Sequence, residues 1–200
     1  MVTPVTVVDG KIVSFGYKPP ELAAAFGIRG LETMQHSPQW WLAKVEVLLP
    51  ALVRAARQVP DDKLDWMAPY DKTTIRNLMT HMMVRLMKCP EAERDGVQSG
   101  QGSGKDSEPI YFATSEEMAR YAERVLSTMR SWLGGNCNLQ KEVHTYKDGD
   151  TTVGYMLSLV MGHLIHHVRQ MYLYMDSMGI PPKNPIPERE FSGILYPAQI

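Results

Sequence analysis

The chain has 200 residues, 44% hydrophobic and 22% charged, and its 21 basic and 22 acidic side chains leave a formal charge of −1. Those proportions argue against a disordered or fibrous chain. The balanced charge argues against a protein that works by neutralising phosphates on nucleic acid. The two cysteines, Cys89 and Cys137, are too few for a disulfide framework and form no Cys-x-x-Cys pair, which fits a reducing, cytoplasmic setting.

Met1 to Phe15 lacks the basic and apolar regions of a secretory leader. It reads as a hairpin instead: Thr6-Val7-Val8 and Lys11-Ile12-Val13 flank Asp9-Gly10, a dipeptide suited to a two-residue turn with positive φ. An isolated hairpin is marginal in water, so residues 1–36 are expected to form an arm that packs on the body or on a partner chain.

Four helical stretches follow. The first starts at Ser37-Pro38, a cap with proline in the first turn, and carries Trp41, Val45, Leu48, Leu49, Leu52 and Ala56 on one stripe. Pro50 predicts a kink or break within it. The second starts at Thr73 or Thr74, places Ile75, Leu78, Met79, Met82 and Leu86 on one face, and is expected to stop at Cys89-Pro90. Beyond it, Ser99 to Lys105 imitates a phosphate loop, but serine stands where the first glycine belongs and Asp106 follows the lysine, so a flexible connection is the better reading. The third helix opens on a capping box, Thr114-Ser115-Glu116-Glu117, runs through Met118, Tyr121, Val125, Met129 and Trp132, and stops at Gly134-Gly135.

Val143 to Thr152, turning at Lys147-Asp148-Gly149, is expected to pair as a short hairpin. The fourth helix then runs from Val153 to Met178, ended by Gly179 and Pro181. It is apolar but broken by His163, His166, His167, Arg169 and Gln170, which suits a buried helix and not a membrane span. The prolines between Pro181 and Pro197 forbid a regular helix, so the tail should run extended over the surface. The fold class is all-α, a four-helix bundle over residues 37–180, with the arm before it and the tail of residues 181–200 after it.

Three of the six histidines fall within residues 163–167. At about 100° per residue, Val153, Leu157, Val160, Leu164, Val168, Met171 and Met175 make one apolar stripe, with His167 on its edge and His163 roughly 40° further round. Two imidazoles at i and i+4 can converge on one ion. His166 projects toward solvent, although His163/His166 is an alternative i, i+3 pair, and simple hydrogen-bonded or surface histidines are the competing explanation. A metal site needs a third donor. His81 is best placed, on a flank with Thr74, Leu78 and Arg85 that would have to face the fourth helix. His36 and His144 fall in expected loops and rank as surface residues.

Thr73-Thr74-Ile75-Arg76-Asn77-Leu78-Met79-Thr80-His81, taken with Gly162-His163-Leu164-Ile165-His166-His167-Val168-Arg169-Gln170, resembles the DinB/YfiT-like superfamily. Asp65-Trp66 and the close of the fourth helix, Tyr172 to Pro181, are similar too, so the resemblance covers about residues 38–181. It implies an up-down-down-up bundle in which His81, His163 and His167 hold a divalent metal, zinc or nickel, with positions open to water or substrate. One departure stands out: the family's His-Arg-Gly-Gln run appears here as His167-Val168-Arg169-Gln170, which displaces the arginine by one residue and turns it through about 100°.

What the resemblance implies for activity is a metal-dependent thiol S-transferase that joins a small cellular thiol to a small electrophilic molecule. A non-catalytic metal-binding or stress-associated bundle is the alternative. A metal-hydroxide hydrolase would need a carboxylate nearby, with Asp71 and Asp176 the nearest in sequence. Tyr174, Arg85 and Gln170 are candidate polar neighbours of the metal, and Trp40 or Trp41 could wall a pocket. The expected partners are a small-molecule substrate and a second copy of the chain in a homodimer, with neither nucleic acid nor membrane.

Overall fold

The computed structural model describes residues 5–15, 25–26, 36–68, 73–98, 110–146, 149–194 and 196. They fall into two units, those within Met1–His36 and those within Ser37–Ile200. In the first, β1 (Val5–Val8) and β2 (Lys11–Phe15) pair antiparallel around Asp9 and Gly10, both at positive φ (49° and 76°), as the Asp-Gly turn requires. The register shifts between Thr6 and Val7. Val5, Val7 and Ile12 are exposed.

The second unit is built on four helices, α1 (Pro38–Gln58), α2 (Ile75–Asp95), α3 (Ser115–Leu133) and α4 (Val153–Ser177). Each begins where a hydroxyl side chain accepts a free backbone N–H: Ser37 from Trp40, Thr74 from Asn77, Thr114 from Glu117 and Thr152 from Tyr155. Thr114 and Glu117 complete the expected capping box. The apolar stripes of α1 and α4 are buried throughout, and with those of α2 and α3 they form one core. No helix among the described residues is long and apolar enough to cross a membrane.

Two prolines lie inside helices, and Pro90 does so against the expected stop. Pro50 lies inside α1 without ending it, and α2 continues past Cys89-Pro90 to Asp95. A proline inside a helix removes one hydrogen bond and costs about 3 kcal/mol. Leu49, Ala51 and Leu52 around Pro50 and Cys89 and Ala92 around Pro90 are all buried, and that burial holds the backbone helical. The true stop of α2 is Gly96, whose φ of 74° forms the left-handed cap.

α1 packs chiefly on α3, and α2 packs on both α4 and α3. Side chains join particular helix ends. At the head of α3, Ser115 Oγ donates to Val59 O at 2.6 Å and to Asp61 at 2.5 Å, beside the end of α1. Glu93, near the end of α2, accepts from Trp132 Nε1 at the end of α3 and from the Asn138 N–H, while Lys141 Nζ reaches its carbonyl. The expected hairpin forms as β4 (Glu142–Thr145) and β5 (Gly149–Thr152), antiparallel, with His144 opposite Asp150. A third strand that sequence reasoning did not supply, β3 (Val97–Gln98), adds parallel to β4 directly after α2. Because β5 runs straight into α4, this sheet ties the end of α2 to the start of α4.

The tail carries no α-helix up to Ile194, but it is more than an extended strap. Residues Glu188–Phe191 form a 3-10 turn, and Ile186, Phe191 and Ile194 are buried. Lys44 Nζ donates to Glu190 O, Arg54 to Asn184 O and the Ile186 N–H to Tyr172 Oη, so α1 and α4 hold it down.

Candidate metal centre

Packing of α2 on α4 answers the question that periodicity left open: the flank of α2 that carries His81 faces α4. His81 Nε2 lies 2.8 Å from His163 Nε2, and His163 Nε2 lies 2.9 Å from His167 Nε2. One nitrogen from each ring falls within 4.8 Å of the other two, and all three side chains are half-buried. The rings meet steeply, at 67° for His81/His163, 84° for His81/His167 and 81° for His163/His167. Among the described residues no carboxylate or thiolate joins this group.

The donor chemistry fits a divalent ion. Zinc binds imidazole nitrogen at about 2.0–2.1 Å, which in a tetrahedral site separates donors by about 3.3 Å, a few tenths of an ångström beyond the observed spacing. Hydrogen bonding alone satisfies the cluster less well. His167 Nδ1 lies 2.7 Å from Gln170 Oε1, while Gln170 Nε2 donates to Tyr174 Oη at 2.8 Å. That network assigns the proton to His167 Nδ1 and leaves a lone pair on its Nε2. His163 can then donate to His167 or accept from His81, but one nitrogen cannot do both, so a neutral cluster leaves one close N···N contact unsatisfied. A cation serves all three lone pairs.

The protonation state agrees. Burial first, then the nearby Arg85 and His167, pushes His81 down to about 4. Burial, His167 and Arg85 push His163 down to about 2. Both are neutral near pH 7, as ligands must be. The linkage has a definite sign. Unfolded histidines titrate near 6.5, so below that pH the unfolded chain binds more protons than the folded one, and stability falls as the pH is lowered from about 6.5 toward 4. Urea midpoints of chelated protein are expected to drop across that window, and more shallowly in His163→Ala; a flat wild-type profile would contradict the buried neutral pair.

The remaining candidates divide clearly. Gln170 touches His167 directly. Tyr174 is fully buried behind it, with Trp66 edge-on at 5.7 Å between ring centres. Trp66 had no expected place at the site; its only sequence signal is its position ahead of α2. Arg85 stands one helical turn beyond His81, with its Nε buried. His166 sits beside His167 at 5.2 Å between ring centres but contributes no nitrogen to the group, and its Nδ1 is buried without a hydrogen-bond partner.

Arg169, displaced in sequence, turns to the tail instead, pairing with Glu188 at 3.2 Å and covering the Tyr196 ring. His144 is exposed and pairs with Asp150 at 2.7 Å, as suits a surface residue, and Asp176 is exposed on α4. Of the tryptophans, Trp41 is buried in the core and Trp40 is half-buried against it. Asp71 and the glycine-rich loop from Ser99 to Lys105 lie outside the described residues.

A bundle in which two helices present three converging imidazoles defines a class of helical proteins with a potential metal centre. The chain belongs to the DinB family, whose model matches residues 36–186. It is similar in fold to the crystal structure of a DinB-like protein from Bacillus subtilis, with a TM-score of 0.55 and 17% identity over 69% of this chain and 91% of that one. No curated protein matches the chain.

Proposed function

We propose that His81, His163 and His167 hold one divalent metal ion, zinc or nickel, and that the chain is a metal-dependent thiol S-transferase acting on a small electrophilic molecule. The observation that carries the metal reading is the meeting of three Nε2 atoms from two packed helices, within 4.8 Å of one another and with no carboxylate among them. Such an ion, held by three neutral ligands, supplies the Lewis acidity that keeps a thiol ionised at neutral pH. A hydrolytic reading wants a carboxylate beside the ion to manage the proton of water. The group contains none among the described residues, whereas a thiol needs only to be held as its anion. We also read the helix directions as up-down-down-up, supported by the Ser115–Val59 contact and by Glu93 joining the last turns of α2 and α3.

The chain's own residues do the positioning. Gln170 accepts the Nδ1 proton of His167 and so keeps the opposite nitrogen free as a donor, and Tyr174 fixes the Gln170 amide. Partners of this kind are worth about 10–100-fold in metal affinity. Gln170→Leu is therefore expected to weaken zinc by about that factor in a competition titration, with the helical circular dichroism unchanged; equal affinity would remove Gln170 from the centre.

The activity is tested with zinc- and nickel-loaded protein, a panel of small thiols and monobromobimane as electrophile. Thiol–bimane product formed above the metal-free rate, and abolished in His81→Ala, is the expected result. A fully loaded protein that accelerates no thiol would leave the site as a metal-binding module and overturn the transferase reading.

A further inference from the structure

Resting on the metal reading above, we propose that Trp66 is a positioning residue of the metal centre. Pinned to the head of α2, it holds the Tyr174 ring on α4 in place and thereby, through Gln170, keeps the His167 proton on Nδ1 and the donor lone pair on Nε2.

The anchor of Trp66 is made by main chain and side chain together. Asp65 and Trp66 lie in the connection from α1 to α2, against the first turn of α2. The Arg76 N–H donates to Leu64 O at 2.9 Å and the Ile75 N–H to Trp66 O at 3.2 Å, while Met67 bridges to Thr74. Arg76 Nε and Nη2 each lie 2.9 Å from an Asp65 carboxylate oxygen, the paired geometry in which a guanidinium binds a carboxylate best, and Nη1 donates to Phe112 O. Arg76 is buried, and parting a buried charge from its partner is costly, so the backbone on either side of Trp66 is fixed.

From that anchor the contacts run to one ligand. The Trp66 ring meets Tyr174 at 5.7 Å between ring centres and 68° between ring planes, an edge-on pair. Tyr174 is fully buried, its Oη accepts from Gln170 Nε2 at 2.8 Å, and Gln170 Oε1 lies 2.7 Å from His167 Nδ1. His167, Gln170 and Tyr174 stand at i, i+3 and i+7, on one face of α4. A Gln170 amide turned end for end would set its NH2 against Nδ1 and force the imidazole proton onto Nε2, where it would block the ion. The Tyr174 hydroxyl selects between the two orientations, and Trp66 keeps that hydroxyl within reach. Because Trp66 is fastened to α2 and lies against Tyr174 on α4, the same contact spans the two helices that supply the donors.

The expected results separate positioning from packing. Trp66→Leu should weaken zinc by about two- to tenfold in a competition titration, the weight of one edge-on aromatic pair expressed as an affinity. In chelated protein carrying isotope-labelled histidine, the nitrogen chemical shifts should show His167 protonated on Nδ1 in the wild type and a mixture of both tautomers in Trp66→Leu. The His167 signals are assigned by their loss in His167→Gln. Trp66→Phe, which keeps a ring against Tyr174, should recover most of both effects. In the Gln170→Leu background, adding Trp66→Leu should cost no further affinity, because the route to the metal is already cut, whereas an independent packing effect would add in full.

A His167 proton on Nε2 in the chelated wild-type protein would overturn the proposal whatever the variants do. So would unchanged zinc affinity in folded Trp66→Leu, or a loss that persists undiminished beside Gln170→Leu. If Trp66→Leu fails to fold, Trp66→Met takes its place under the same criteria, filling the space with a flexible chain that offers no ring. Failure of the wild-type protein to bind zinc would overturn the metal reading itself, and the tautomer in the chelated protein would still decide the role of Trp66.

Discussion

Alanine at position 163 is expected to abolish stoichiometric zinc binding, measured as metal content after gel filtration. The geometry singles this residue out. His163 Nε2 lies within 2.9 Å of both other donors, 2.8 Å from His81 and 2.9 Å from His167. Losing it leaves one donor on α2 and one on α4, below the three protein ligands that zinc sites require. His81→Ala removes a donor as well but leaves the i, i+4 pair on α4, so the loss should be ordered, with His163→Ala the more severe. Binding stabilises the folded state by about 4 kcal/mol when free metal exceeds Kd a thousandfold. In a chain of this length that corresponds to roughly 8–16 °C in Tm. The wild-type protein is expected to lose that increment on chelation, and His163→Ala never to show it. Zinc retained at full stoichiometry in His163→Ala would sink the ligand assignment.

What the sequence made legible was mostly what helical periodicity and capping chemistry control. The stripe from Trp41 to Ala56 is buried throughout, Ser37 and Thr114 cap their helices where the cap rules put them, Thr74 is the cap of the two threonines offered, and Thr152 adds a cap that was not expected. The i, i+4 histidines could be seen on one face of α4 for the same reason. Failures came where tertiary packing overrides a local rule. Pro90 reads as a stop, yet Cys89 and Ala92 are buried on either side of it and Glu93 is bound to Trp132, so α2 gains more by continuing than the proline takes away. The two-residue strand β3 has no periodicity to detect; it exists because Gly96 turns the chain alongside β4.

His81 was ambiguous for a related cause, since its distance from the apolar stripe of α2 counts against it until α2 is seen to pack on α4. The shifted arginine is the instructive case. One residue of displacement takes Arg169 to Glu188 and the tail, while Arg85, one helical turn beyond His81 on α2, keeps the place that helical spacing marked for it.

The scaffold and the site should therefore fail separately, and Trp41→Ala tests the scaffold. Trp41 is 2% exposed, meets Trp40 edge-on at 4.8 Å between ring centres, and lies on α1, which packs chiefly on α3 and supplies no histidine to the centre. Truncating a buried tryptophan to alanine costs about 3–5 kcal/mol from lost burial and the cavity left behind. Part of that is the edge-on aromatic pair, about 0.5–1.5 kcal/mol. For a chain of this size the expected fall in Tm is roughly 6–20 °C, read on chelated protein so that metal does not mask it. Below the new transition the variant should still bind zinc with wild-type stoichiometry, because α2 and α4 are joined by their own packing and by β3, β4 and β5 at one end. The contrast with His163→Ala is then reciprocal: one change lowers the stability of the chelated protein and spares the metal, the other removes the metal and spares the chelated protein. A Trp41→Ala chain that folds but binds no zinc would mean that α1 holds α2 and α4 in register after all, and the separation of scaffold from site would have to be abandoned.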